Sequence, residues 1–270
     1  MKRLPTRDFR SLRHRLEAKD FALPGTVTLP SDLIERNAWN SLVVLPDHVA
    51  IYTSSHCGTR LTFLYDLWAD WIKRLVSHRS HPMLSSAMLD ASDDLSASTF
   101  NLMHGYYKQA IGALRSALEI IMLAATCTLH KKHPLPRPKW NPEKSWQNWK
   151  TDSSRTEFKL ICDQLDSWAA RSKDADRSLE AADIARSSRK LYAHLNRFSH
   201  ARSSSSNVTL WGGSNGPVFD LAAFRDASEL QIATYCVLYR LIRLAKPSFR
   251  VARIISREIG LTSHHAGAAE

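Results

Sequence analysis

A mainly α fold, built as an antiparallel helical bundle, is predicted by three features of the 270-residue sequence. Apolar residues recur at three- and four-residue spacing through several long stretches, the period of an α-helix. Strict apolar–polar alternation is scarce and there are only 9 glycines, which argues against an all-β fold. A hydrophobic content of 44% suffices for a core and excludes wholesale disorder. The organising stretch is 105–129, GYYKQAIGALRSALEIIMLAATCTL. On a helical wheel Tyr107, Ala110, Ile111, Leu118, Ile121, Met122 and Ala125 gather round Leu114, while Ile120, Leu123 and Ala124 cover much of the other side. A helix apolar nearly all round belongs at the centre of a bundle. One seam stays polar: Lys108, Gly112, Arg115 and Glu119. Arg115 and Glu119, one turn apart, either satisfy each other or line a cleft, because neither charge tolerates unpaired burial.

Residues 1–20 carry seven Lys or Arg against three acids and at most a thin apolar stripe, so they read as a solvated arm or one that touches a polyanion. Pro24-Gly25, Pro30 and Pro46 break up 21–52, which reads as irregular with short β pieces at Thr26–Leu29, Leu42–Leu45 and Val49–Tyr52. Helical spacing begins near Arg60 and runs to His78 through Leu61, Leu64, Leu67, Trp68, Trp71, Ile72 and Leu75. Pro82 marks a break, and a second helix follows over Leu84–His104. Its short connection to the central helix at Gly105 makes the two antiparallel.

Four prolines, Pro134, Pro136, Pro138 and Pro142, interrupt 131–150. Trp140, Trp146 and Trp149 alternate there with lysines, a composition suited either to stacking on bases or to pinning a loop on the bundle. Helices resume over Glu157–Ala170 and Leu179–His200. In the latter Ile184, Leu191, Leu195 and Phe198 point to a core, whereas Arg189, Ala193, Asn196 and His200 share one stripe. A serine run and Gly212-Gly213 then mark a loop, with a small hairpin expected near 208–219. Helices over Leu221–Ala245 and Phe249–Ile259 complete the bundle. The chain thus divides into a basic arm and irregular segment (1–56), a helical bundle domain (57–260) and a disordered tail (261–270).

The formal charge of +11 favours acidic partners, of which nucleic acid is the commonest, although an ordinary basic surface has the same composition. Cys57, Cys127, Cys162 and Cys236 are far apart and lack CxxC spacing, so buried reduced thiols are expected. His78 and His81 have metal-like spacing but no further ligand near them; no metal and no cofactor are expected. No apolar run reaches about 18 residues without a charge, and the N-terminus lacks a signal core. A soluble, cytoplasmic protein without a membrane partner is the expectation.

Two of these stretches, GYYKQAIGALRSALEIIM and SSRKLYAHLNRFSHA, together resemble the HEPN superfamily in a diverged form. The residues that carry the likeness are Gly105, Ala110, Leu114-Arg115-Ser116, Glu119, Leu195-Asn196 and His200, over about half of the chain. The resemblance implies a HEPN-like bundle, often dimeric, acting in many members as a metal-independent ribonuclease of toxin–antitoxin or phage-defence systems. An antitoxin or defence-system protein would then be a partner beside RNA and a second copy. The family signature, Arg then His after four to six residues, matches Arg189 and His194, with Lys190 where a polar residue is usual. On a regular helix His194 lies about 140° from Arg189, whereas His200 shares its face. Either histidine would deprotonate the ribose 2′-hydroxyl, Arg189 would hold the phosphate, and Asn196 would orient the histidine or bind a phosphate oxygen. Arg115, Glu119, Lys108, Arg197, Trp146 and Trp149 are the expected nucleic-acid contacts. The other reading is a HEPN-like module that binds nucleic acid, nucleotide or a partner protein without catalysis.

Overall fold

The structure is a computed structural model that describes residues 36–77, 82–134, 141–151, 158–199 and 217–261. Of these, 86% are helical and none forms a strand. Eight helices are numbered here: α1 (Leu45–Ser77), α2 (Pro82–Met103), α3 (Tyr107–Lys132), α4 (Pro142–Lys150), α5 (Phe158–Ala169), α6 (Ala175–Ser199), α7 (Leu221–Ala245) and α8 (Arg253–Glu258). A helical turn at Arg36–Trp39 and a wide π turn at Asn40–Val44 lead into α1.

The expected strands at Leu42–Leu45 and Val49–Tyr52 are therefore replaced by helix. Val49, Ala50, Thr53 and Cys57 are buried, a three- and four-residue stripe that continues through Leu64, Leu67 and Trp71. Burial of that stripe outweighs the weak β preference of a few branched residues. Pro46 lacks an N–H, and the wide turn just ahead of it absorbs the change of register. The helix kinks at Cys57, next to Gly58, so the boundary drawn between 56 and 57 falls inside α1.

α3 is central, as its wheel requires: fifteen of its residues are buried, and it packs against α2, α4, α5, α6 and α7. By length and composition it is also the one helix among the described residues able to cross a membrane, and 72% of its apolar window is buried inside the bundle. The Trp71 indole donates to the Met88 carbonyl (2.9 Å) and Trp68 to that of Ser92 (3.3 Å), which sets α1 and α2 antiparallel. α2 turns into α3 through Gly105, whose φ of +76° suits glycine. The Tyr106 N–H closes the turn on the Asn101 carbonyl (2.8 Å). A Cβ at Gly105 would stand 2.3 Å from the Val218 carbonyl oxygen, so the segment that leads into α7 seats directly on this turn.

α7 runs parallel to α3, tied at one end by the Asp220 N–H to the Tyr107 hydroxyl (3.1 Å) and at the other by Lys132 Nζ to the Ala245 carbonyl (2.8 Å). Arg177 donates to the Leu244 carbonyl (2.8 Å), so two cations from other helices satisfy the end of α7. That contact, with Arg240 on Asp183 (2.8 Å), makes α6 antiparallel to α7 and hence to α3. Inside the bundle, Gln231 donates to Thr99 (2.7 Å) and accepts from Ser98 (3.3 Å), a polar clip between α2 and α7.

α3 runs three residues past the expected Leu129. The second half of the proline-rich stretch is also helical, α4. Asn141 caps α4 by accepting from the Lys144 N–H (2.9 Å), with Pro142 as first residue, where its missing N–H costs nothing. The Cys127 thiol donates to the Pro142 carbonyl (3.1 Å) and Trp146 is buried, so α4 is fastened to the end of α3. The last helix is shorter than expected, Arg253–Glu258. The basic arm 1–20, the pair His78 and His81, Trp140, residues 262–270 of the tail and most of the expected hairpin near 208–219 lie outside the described residues, while 217–219 carry no strand and Leu261, expected in the tail, is buried.

Candidate nucleic-acid interface

The polar seam of α3 meets α6 (α3 and α6 antiparallel) through three side chains. Arg115 Nε donates to Glu119 Oε1 (2.9 Å), and a guanidinium NH2 donates to the Tyr192 hydroxyl (3.1 Å). That hydroxyl in turn donates to the same Glu119 oxygen (2.7 Å), which closes a ring of hydrogen bonds. The Tyr192 ring stacks on Phe158 of α5, 3.9 Å between centroids and 8° from parallel, and the Arg115 guanidinium carbon lies 5.3 Å from the Tyr192 ring centroid. Burial works against the Arg115 charge, but Glu119 and Tyr192 outweigh it and hold the guanidinium more firmly protonated. Burial, then the bond to the Glu119 carboxylate, raises the Tyr192 phenol above its ordinary range. Of the two sequence readings of Arg115 and Glu119, the geometry is that of a satisfied pair.

Arg189 is engaged elsewhere. Its guanidinium donates to Asp163 (2.8 Å) and to Asp166 (2.5 Å), both on α5. These carboxylates outweigh the opposing effect of burial and raise its already high pKa. Asn196, one turn beyond Tyr192, has its side-chain oxygen buried without a hydrogen-bond partner among the described residues. His194 is exposed, and its ring lies 5.9 Å from that of Phe198. His200 lies outside the described residues. Lys108 is half-buried, Arg197 is exposed, and neither has an ion pair among the described residues. Among the described residues no hydrogen bond or ion pair joins Arg115 or Glu119 to Arg189 or Asn196.

Trp146 is 3% exposed, its ring covered by Trp149 (5.2 Å, near-parallel) and by Lys150 Nζ (5.6 Å). It pins α4, and no face of it is left for a base. Beside it a groove of about 1010 Å3 opens between the end of α3, the start of α2 and α4. Lys131, Lys132, Lys144 and Lys150 line it, against one acid, Glu143.

Burial raises all four thiols, Cys127 and Cys162 to about 12, so neither of these is a reactive thiolate at neutral pH. Among the described residues no three His, Cys, Asp or Glu side chains converge as a metal site.

The sequence reading missed Tyr192, Asp163, Asp166 and the groove. The spacing of Asp163 and Asp166 puts both on one face of α5, a visible signal, but their distance from Arg189 is set by the α5–α6 hairpin. Set against known protein families, curated proteins and solved structures, the chain matches none of them.

Proposed function

We propose that the protein is a HEPN-like helical module that binds nucleic acid and does not cut it while Arg189 is held by Asp163 and Asp166. The carrying observation is that double contact. Both contacts come from one terminal nitrogen, so either fork of the guanidinium onto a phosphate has to displace one of these carboxylates, and two negative charges beside it repel the incoming anion. The net charge of +11 supports an acidic partner. A homodimer, and an antitoxin or defence-system protein as partner, follow from the same resemblance and belong to this proposal.

A metal-independent ribonuclease is the second reading, and one observation favours it. The Arg189 side chain is 37% exposed and those of Asp163 and Asp166 are 51% and 43%, so water competes for the contacts and exchange for phosphate is cheap. The test incubates the full chain with total RNA in EDTA, as wild type and as Asp163→Asn/Asp166→Asn, which frees Arg189. The binding module gives retention that weakens steeply with salt and no cleavage from either protein. Cleavage that appears in the double variant, and vanishes on adding Arg189→Ala or His200→Ala, establishes a ribonuclease whose arginine is held back by α5.

A further inference from the structure

We propose that the lysine-lined groove between α2, α3 and α4 is the docking place of a single-stranded nucleic acid, held by its phosphates and not by its bases. The inference rests on the nucleic-acid reading above and adds to it the place and the kind of strand. Four ammonium groups share a concavity with one carboxylate. Lys132 is committed to the Ala245 carbonyl. Lys131, Lys144 and Lys150 are exposed and have no ion-pair partner among the described residues. Like charges gathered in a concave, low-dielectric wall focus a positive potential that a polyanion relieves. The contrast with Arg189 is direct: that cation is neutralised by two acids, and these three are not.

The volume, about 1010 Å3, admits a bent single strand a few nucleotides long, while the stiff cylinder of a duplex presents its phosphates on a convex surface that such a groove does not take in. Lysine is a mobile point charge, suited to phosphate and indifferent to base identity. Among the described residues that line the groove the one tryptophan, Trp146, is buried under Trp149 and Lys150, so the lining offers lysines and no open indole face. Binding is therefore sequence-tolerant and governed by salt. By the rise of an α-helix, Lys131 lies about 28 Å along α3 from Gly112, so the groove is at the opposite end of the bundle from the Asn196 region.

The experiment measures fluorescence anisotropy of a labelled oligouridine of about 12 nucleotides, and of a duplex of equal length, with the full-length protein. The variants are Lys131→Gln/Lys144→Gln/Lys150→Gln and a control of equal charge on other exposed positions, Lys159→Gln/Arg171→Gln/Lys173→Gln; circular dichroism verifies that both keep their helix. Three lysines on a single strand account for a slope of about 2 in log affinity against log salt, or roughly 20-fold between about 50 and 200 mM. The expected result is that the groove variant loses that share of affinity and slope while the control keeps it, with oligouridine and oligoadenosine bound alike. Equal loss in both variants, or none in the groove variant, overturns the groove and leaves the nucleic-acid reading standing. Tighter binding of the duplex overturns the single strand. Absence of any binding by the wild type at low salt removes the nucleic-acid reading itself.

Discussion

Arg115 and Arg189 are both paired with carboxylates, yet their surroundings differ in kind. Arg115 has its partner one turn away on the same helix and a tyrosine lid stacked on a phenylalanine of a third helix, with 27% of its side chain and 22% of Glu119's exposed. Arg189 reaches from α6 to two aspartates on the rim of α5, each about half exposed. The first arrangement rivets α3, α5 and α6 together, since Tyr192 joins all three. The second is a clamp in contact with water, whose bonds exchange at small cost. Polar groups on a bundle helix thus acquire their meaning from the dryness around them, and similar ion pairs serve as a structural joint in one place and as an occupied binding group in the other.

The contrast is broken most forcefully at Glu119. Glu119→Ala leaves the Arg115 guanidinium and the Tyr192 hydroxyl half-buried without their acceptor, and is expected to cost about 2 kcal/mol. Tyr192→Phe keeps the stack on Phe158 and removes only the hydroxyl, at about 1 kcal/mol. Denaturant midpoints at constant slope measure both. Equal, negligible losses would mean that water reaches the ring of bonds and that the two arginine sites are alike.

A carboxylate with no arginine at all sharpens the comparison. Asp94 on α2 has no ion-pair partner among the described residues, and burial, then Asp93 and Asp90, pushes its pKa up to about 6. The folded state therefore holds this proton more tightly than the unfolded chain does. Its penalty is fully present above about pH 6 and fades as pH falls toward the ordinary carboxylate value, near 3.8. Asp94→Asn is expected to raise the melting temperature by about 1–2 °C at pH 7.5, discounted for the water that reaches the group, and by nothing near pH 4. A gain of the same size at both pH values would assign the effect to packing instead.

The smallest effect belongs to Arg189→Ala, at most about 0.5 kcal/mol, because the freed aspartates return to water. A loss as large as that of Glu119→Ala would make the rim clamp a structural joint too, and would weaken its assignment as a group awaiting phosphate.

Much of the bundle was legible from spacing alone. The apolar wheel of 105–129 placed α3 at the centre, and the inward row Ile184, Leu191, Leu195 and Phe198 oriented α6 correctly; all four are buried. The strand pieces at 42–52 were misread because short branched runs carry little information until the buried stripe through Val49, Ala50 and Thr53 is followed into the next turns. The helix at 142–150 had an Asn-Pro start signal, but the prolines before it dominated the reading. At the candidate site, Arg115 with Glu119 was legible as a pair one turn apart. The engagement of Arg189 by α5 was not, although its residues were in plain view.

Helical period, caps and chain breaks are relations between residues three or four apart, and the order of residues determines them directly. The sequence by itself therefore determined a mainly helical chain, its central helix, the inward faces of most others and a strong positive charge. Only the tertiary structure decided that Tyr192 closes the Arg115–Glu119 pair, 73 residues from Glu119, and that Asp163 and Asp166 occupy Arg189 from 26 and 23 residues away. It likewise decided that Trp146 is buried while the lysines beside it line a groove. A hydrogen bond reaches about 3 Å, and which side chains come within that reach across a bundle depends on how whole helices pack, a property that no local pattern carries.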